Sequence, residues 1–290
     1  MINKKTFILG VGAQKCGTSW LHSQLVKNPS IDMGFTKEYH VFDALYADVC
    51  SDSRIQLINA VLEKNEKGIL GTNHKKNANA TRRLAFIDNT ESYFDYFDYL
   101  YLRNSKIQAV GDITPSYSVL DHRAYQHIKN GLEQRGFQVK VILLMRDPIE
   151  RVWSMVRMGR RILVENGKLS KSSEMDALNS AYKSAACVLR TSYDRTIKEL
   201  ERVFTNDNIY IGFYERLFSD DYFNVLQSFL GMKLKSPDTA FHVNRSPKEA
   251  TLDPSVGAQI AQYYSDVYEF VSKKSDGVSE NLWGGYKYLQ

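Results

Sequence analysis

Between Gly10 and Leu21 the chain reads GVGAQKCGTSWL. Gly12 and Gly17 have the G-x-x-x-x-G spacing of a phosphate-binding loop, but Thr18 and Ser19 follow the second glycine where a nucleoside triphosphatase carries its lysine. The lysine here, Lys15, stands inside the loop. A glycine-rich turn between a strand and a helix aims backbone N–H groups and the positive end of the helix dipole at an anion. Lys15 adds a point charge, and Thr18 and Ser19 add hydroxyl donors at the helix start. The chemistry is anion binding, with a cation needed beside the anion rather than behind it.

A second stretch, LLMRDPIERVWSMVRMGRR from Leu143 to Arg161, follows an apolar run and opens a helix. Arg146 is the first residue out of the run. Ser154 lies eight residues on, about two helical turns, so both can face one way. An arginine and a hydroxyl on one side form a second phosphate site. Three further stretches hold polar groups in suggestive places: FTKEYHVFDAL (Phe35–Leu45), VGDITPSYSVL (Val110–Leu120) and HVNRSPKEATL (His242–Leu252).

These groups need a scaffold. Apolar runs at Phe7–Val11, Ile107–Ile113, Val139–Met145 and Ile209–Phe213 read as buried strands, and the nearly continuous VKVILLM suits a strand covered on both faces. Helical patterns lie between them at Thr18–Lys27, Ile55–Lys64, Tyr93–Leu102 and Pro148–Arg160. Asp147 and Pro148 supply an N-cap and first-turn proline for the last of these. Glu174–Phe204 reads as one long helix or two, and Asp253–Lys273 as another. Alternating strands and helices predict an α/β fold with a mainly parallel central sheet flanked by helices, in three layers. Ligands of such folds bind beyond the carboxyl ends of the strands, so the residues after Val11, Ile113 and Met145 should converge. The polar segment Lys64–Asn89 reads as a substrate-facing loop or lid.

The chain has 290 residues, 43% hydrophobic and 24% charged, with a net charge of +5. No linker or repeat divides it, so a single domain over 1–290 is expected. The charge is too mild to predict nucleic-acid binding. Arg146, Arg151, Arg157, Arg160 and Arg161 form a local run. Since Ile149, Val152, Trp153 and Val156 give that helix its apolar face, the arginines beyond Arg146 read as its wet side. Cys16, Cys50 and Cys187 give neither a disulfide framework nor metal-ligand spacing. The apolar run near the N-terminus is too short to span a membrane and reads as the first strand rather than a signal peptide. A cytoplasmic protein without stable membrane association is expected; oligomeric state is not legible.

QKCGTSW followed by RDPIERVWS resembles the sulfotransferases that use 3'-phosphoadenosine 5'-phosphosulfate (PAPS), with motifs closest to the glycan-modifying and bacterial members. The resemblance implies a P-loop-like fold and no metal. It implies a donor site of Gln14, Lys15, Cys16, Gly17, Thr18, Ser19 and Trp20 for the phosphosulfate and adenine. Arg146 and Ser154 would hold the 3'-phosphate, with Arg245 and Lys248 closing over it. KEYHVFD is similar to the K-E-x-H-F-F-D stretch of the glycan enzymes. It implies Glu38 as base, with Lys37 and His40 beside it and His40 as the other candidate base. GDITPSY resembles their E-K-[ST]-P-x-Y segment and suggests Asp112 and Tyr117 on the substrate side, although Ile113 replaces a lysine. The implied reaction is sulfuryl transfer to a hydroxyl, or less often an amine, of a carbohydrate or small molecule. The alternatives are a P-loop kinase or nucleoside triphosphatase, which the displaced lysine disfavours, and a nucleotide-binding protein without catalysis.

Overall fold

The structure is a computed structural model, and it describes residues 5–48, 55, 58–59, 74–168, 172–238 and 250–290. The chain runs β1 (Lys5–Gly12), α1 (Thr18–Leu25), β2 (Ile31–Asp32), α2 (Phe42–Tyr46), α3 (His74–Asp88), α4 (Thr90–Leu102) and β3 (Ala109–Ile113). A 3₁₀ turn at Pro115–Val119 leads to α5 (His122–Glu133), β4 (Phe137–Met145) and α6 (Pro148–Glu165). Then come α7 (Glu174–Ala181), α8 (Ala185–Thr191), α9 (Tyr193–Glu201), β5 (Ile209–Phe213), α10 (Asp220–Leu230), α11 (Pro254–Tyr263), α12 (Ser265–Lys274) and α13 (Val278–Leu282).

The five strands form one sheet in the order β2-β3-β1-β4-β5, every pairing parallel. All five residues of β3 are buried, as are seven consecutive residues of β1. Burial of successive residues means that both faces of the sheet are covered, which makes the α/β architecture three-layered. With β1 in the middle, the turns after β1, β3 and β4 open side by side at the carboxyl end. The pairing of β1 with β4 shifts register between Gly10 and Gly12, where β1 turns out of the sheet into the glycine loop.

Helix α6 shows why the local signals work. Asp147 caps it by accepting the Ile149 N–H at 2.8 Å, Pro148 sits in the first turn, and Ile149, Val152, Trp153 and Val156 are buried. Other expectations need correction. The segment read as a loop over Lys64–Asn89 contains α3, whose Ala80, Phe86 and Ile87 are buried; residues 64–73 lie outside the described residues. Of Ile55–Lys64, only residues 55, 58 and 59 are described, and these are helical. Glu174–Phe204 is three helices rather than one or two, interrupted where Ser184 and Ser192 leave helical geometry. Serines favour such breaks because their hydroxyls compete for backbone groups. Asp253–Lys273 divides at Tyr264, whose hydroxyl donates to the Tyr182 carbonyl at 2.5 Å.

Candidate active site

The glycine loop leaves β1 beneath the start of α1. Gly17 takes the left-handed conformation (φ 89°) in front of Thr18, and no side chain caps the helix. The first-turn N–H groups of α1 are therefore not met by a capping side chain. A Cβ on Gly17 would lie 2.2 Å from Leu217 Cδ2 and 3.1 Å from the Tyr214 ring, so only glycine fits the turn. Lys15 also has a positive φ, 71°, and its ammonium forms no hydrogen bond or ion pair among the described residues. Burial first, then the charges of Arg161, Arg146 and Arg157, lower its pKa from 10.5 to about 8. Such a group gains from any anion placed against it.

Gln14 and Ser19 are half-buried, while Thr18 and Cys16 are buried. The Cys16 thiol lies 3.7 Å from the Tyr193 hydroxyl, and burial pushes its pKa up to about 11, so it stays a neutral thiol. Trp20 differs from expectation. It is 2% exposed, packed edge-on against Phe218 and Phe223, and its indole N–H donates to the Asp238 carbonyl at 3.1 Å. In this arrangement Trp20 packs within the core rather than standing open beside the loop.

Arg146 emerges from β4 beside this loop. Its guanidinium lies 4.2 Å from the centre of the Tyr214 ring, and its Nη2 donates to Glu150 Oε2 at 2.9 Å. Tyr193 ties the two elements together, donating to the Arg146 carbonyl at 2.8 Å while its oxygen faces the Cys16 thiol. Ser154, two turns along α6, is half-buried. The expected wet side of this helix is not wet: Arg151 is fully buried and Arg157 is 6% exposed. Arg151 donates to Cys187 Sγ at 2.8 Å, and Arg157 lies over the Trp153 ring. Among the described residues, the uncapped start of α1, the unpaired Lys15 and the Arg146 guanidinium gather positive charge at the carboxyl ends of β1 and β4.

On the β3 side, the segment carrying Glu38 is pinned from below. Asp112 is fully buried and accepts three hydroxyls, from Thr114 at 2.6 Å and from Tyr93 and Tyr117 at 2.9 Å each. With their protons committed to Asp112, Thr114 Oγ1 accepts the Tyr39 N–H at 2.9 Å and the Tyr117 oxygen accepts the Val41 N–H at 3.3 Å. Asp112 and Tyr117, expected to face the substrate, are instead enclosed supports for residues 39–41. Burial raises the Asp112 pKa to about 6 against the pull of those hydroxyls. From α3, Arg83 Nε donates to the Tyr39 carbonyl at 2.7 Å.

Above this support lies a row of charges. Lys37 ion-pairs with Glu38 Oε1, and His40 places Nε2 3.1 Å from Glu38 Oε2 and Nδ1 2.7 Å from Asp43 Oδ2. Ser116 also donates to Asp43. His40 has φ 53°, a conformation histidine tolerates better than most residues, and this brings it between the two carboxylates. Burial works against charge on Glu38 and His40 alike, yet the contacts win. His40 and Lys37 hold Glu38 down at about 2, and Asp43 and Glu38 hold His40 up at about 9. At neutral pH His40 is an imidazolium with both N–H groups used, so it has no lone pair with which to act as the base.

Tyr193, Asp43 and His22 are the site residues that sequence reasoning missed. His22, on α1, is half-buried, with its Nε2 unpartnered among the described residues. Burial and then Lys37 lower its pKa to about 4, which keeps it neutral beside the Lys37–Glu38 pair. Only the H-x-x-D spacing of His40 and Asp43 was readable beforehand. Arg245 and Lys248 lie outside the described residues. Among the described residues no three His, Cys, Asp or Glu side chains are grouped to hold a metal ion, and no helix is long and apolar enough to cross a membrane.

A family model described as a sulfotransferase domain matches residues 4–263. A search of curated proteins finds no match. Among solved structures, a sulfotransferase from Alicyclobacillus acidocaldarius is similar at 18% identity and a TM-score of 0.58, over 92% of this chain and 94% of that one. The sulfotransferase domain of the Synechococcus PCC 7002 olefin synthase is similar at 16% identity and a TM-score of 0.44, over 90% of this chain and 94% of that one. The first of these shows a shared fold, and the family match spans most of the chain, including the Gly10–Leu21 and Leu143–Arg161 stretches. The protein belongs to the sulfotransferase family and is an enzyme of sulfuryl transfer.

Proposed function

We propose that the protein transfers a sulfuryl group from PAPS to a hydroxyl, less often an amine, of a carbohydrate or other small molecule. The observation that carries this reading is the Lys15 ammonium, unpaired among the described residues, in the loop after β1 and beside Arg146 at the end of β4. PAPS, when bound, supplies an electrophilic sulfuryl group on a nucleotide phosphate leaving group. Lys15 and the first-turn N–H groups of α1 stabilise negative charge gathering on the leaving oxygen. Thr18 and Ser19 orient the same end, and Arg146 with Ser154 holds the other phosphate. Arg245 and Lys248 are assigned to the same phosphate by resemblance alone.

Glu38 is the acceptor-side base. It is ionised at neutral pH and partly open to solvent, and its neighbours leave lone pairs on both oxygens. A carboxylate held near 2 is a weak base at rest. Its strength rises when an acceptor displaces water and the Lys37 contact loosens. His40, fixed by Asp43, orients Glu38 and stabilises its charge.

Two measurements test this. Adenosine 3',5'-bisphosphate should bind in calorimetric titration without Mg²⁺, and Arg146→Ala should weaken it. Glu38→Gln should keep that binding and lose transfer by about 10²–10⁴-fold, the usual contribution of a general base. Transfer at near-normal rate in Glu38→Gln would remove Glu38 from the mechanism. Binding of ATP–Mg²⁺ but not of the bisphosphate would remove PAPS.

A further inference from the structure

Glu150, Ser154, Arg157 and Arg161 follow one another on α6 at intervals of four, three and four residues, and so form one stripe along the helix. Arg157 is buried within that stripe, yet its Nε and Nη1 hydrogen-bond to nothing among the described residues. Its guanidinium lies 4.7 Å from the centre of the Trp153 ring, which fixes its plane, and its Nη2 lies 4.0 Å from Glu150 Oε2. Arg146 Nη2 reaches that same oxygen at 2.9 Å, and Arg146 Nε is also buried without a partner.

One carboxylate oxygen thus stands between two guanidinium groups that both keep unused donors. Buried guanidinium donors are costly to leave unpaired. Glu150 and, beside Arg157, Glu174 offset part of the arginine charge, yet Lys15 still senses both arginines as repelling neighbours. A phosphate monoester dianion has the charge and the acceptor oxygens to satisfy both forks at once.

Resting on the donor reading above, we propose that Arg157 completes the second phosphate site. With Arg146 and Ser154 it grips the 3'-phosphate of the donor nucleotide and makes the protein prefer a bisphosphate to a 5'-monophosphate. Arg157 lies outside the R-D-P and serine positions that carry the resemblance, and its burial beside Arg146 is what assigns it.

The test is calorimetric titration of adenosine 3',5'-bisphosphate and adenosine 5'-monophosphate into the wild type, Arg157→Gln and Arg157→Lys at one ionic strength. The wild type should prefer the bisphosphate. Arg157→Gln should reduce that preference roughly 10- to 100-fold, as expected for losing charge-assisted hydrogen bonds, while leaving monophosphate affinity within about twofold. Arg157→Lys, which keeps the charge but not the fork, should fall between. A wild-type preference retained in Arg157→Gln overturns the assignment, as does an equal loss for both nucleotides. If the glutamine variant does not fold, an unchanged preference in Arg157→Lys overturns it. A wild type that binds no bisphosphate at all defeats the donor reading itself, a result distinct from a wild type that binds and a variant that still discriminates.

Discussion

His40 shares one ring nitrogen with each of two carboxylates, and this makes it a titrating clamp on the acceptor side. Its folded pKa, about 9, is raised above the ordinary 6.5 of histidine. The stabilisation it brings is therefore complete below about pH 6.5 and lost as pH rises through 9. Lys15 acts with the opposite sign and higher up: its pKa falls from 10.5 to about 8, so its cost to folding is relieved only above about pH 8. Between pH 6.5 and 8 the His40 effect stands apart from it. We expect thermal midpoints of the wild type to fall across that window and those of His40→Gln to stay flatter; equal slopes would show that the imidazole is not held by its carboxylates. At the donor loop, loss of the Lys15 ammonium above about pH 8 should weaken binding of the bisphosphate, which calorimetry at pH 7 and pH 9 would register. These residues were legible as types, since a lysine within a glycine loop and a glutamate between Lys37 and His40 are local patterns. Their protonation was not, because it depends on Asp43 and on burial.

Among the elements, α6 starts at a carboxylate shared with distant segments of the chain. Asp147, 3% exposed, accepts Ile149 N–H with Oδ1, the Tyr268 hydroxyl with the same oxygen at 3.0 Å, and Gly285 N–H with Oδ2 at 2.7 Å. Asp147→Ala removes a helix cap and leaves buried donors unmet, so it should cost about 3 kcal/mol in denaturant unfolding. Asp147→Asn, which keeps an acceptor at Oδ1, should recover part of that. The D-P signal announced this helix start, but nothing local announced Tyr268 or Gly285, more than a hundred residues away. The arginine run misled for the same reason. A charge run says which residues are charged, and only the packing of α7, α8 and Trp153 around α6 decides which of them are enclosed. The spacing of Glu150, Ser154, Arg157 and Arg161 was present in the sequence as a stripe, but the apolar stripe beside it drew the assignment.

Across the whole molecule, the acceptor segment rests on a block of rings joining α3, α4 and the sheet. Phe97 is fully buried, with ring centroids 4.9 Å from Phe7, 4.9 Å from Tyr93 and 5.1 Å from Tyr39. Phe97→Ala should cost about 3–5 kcal/mol and lower the turnover number more than it weakens nucleotide binding, since its contact Tyr39 is next to Glu38 whereas its contact Phe7 lies well back along β1 from the glycine loop. Equal losses in both would mean that the two halves of the site are not separately supported. Four of the five strands were readable as apolar runs, most clearly β1, β3 and the carboxyl half of β4, which are buried on both faces, whereas the two-residue β2 leaves no run to read. The subdivision of the later helices was not, because the serine breaks at Ser184 and Ser192 rest on local hydroxyl bonds that the apolar pattern does not display, and the break at Tyr264 on a contact with distant Tyr182. The enclosed Asp112 shows the same limit, since a strand-end carboxylate looks alike in sequence whether it meets solvent or three hydroxyls.

The hydrogen bond from Gly285 to Asp147 also sets an order of assembly. A ribosome has made the sheet, the glycine loop and α6 long before it reaches residue 285. Until that residue and Tyr268 dock, the carboxylate at the head of α6 lacks two of its donors, and Arg146 stands on an unfinished support. A nascent chain halted before α12 should therefore hold a folded sheet yet bind nucleotide poorly. Competence at the carboxyl end of β4 would then arrive with the late helices rather than with the sheet.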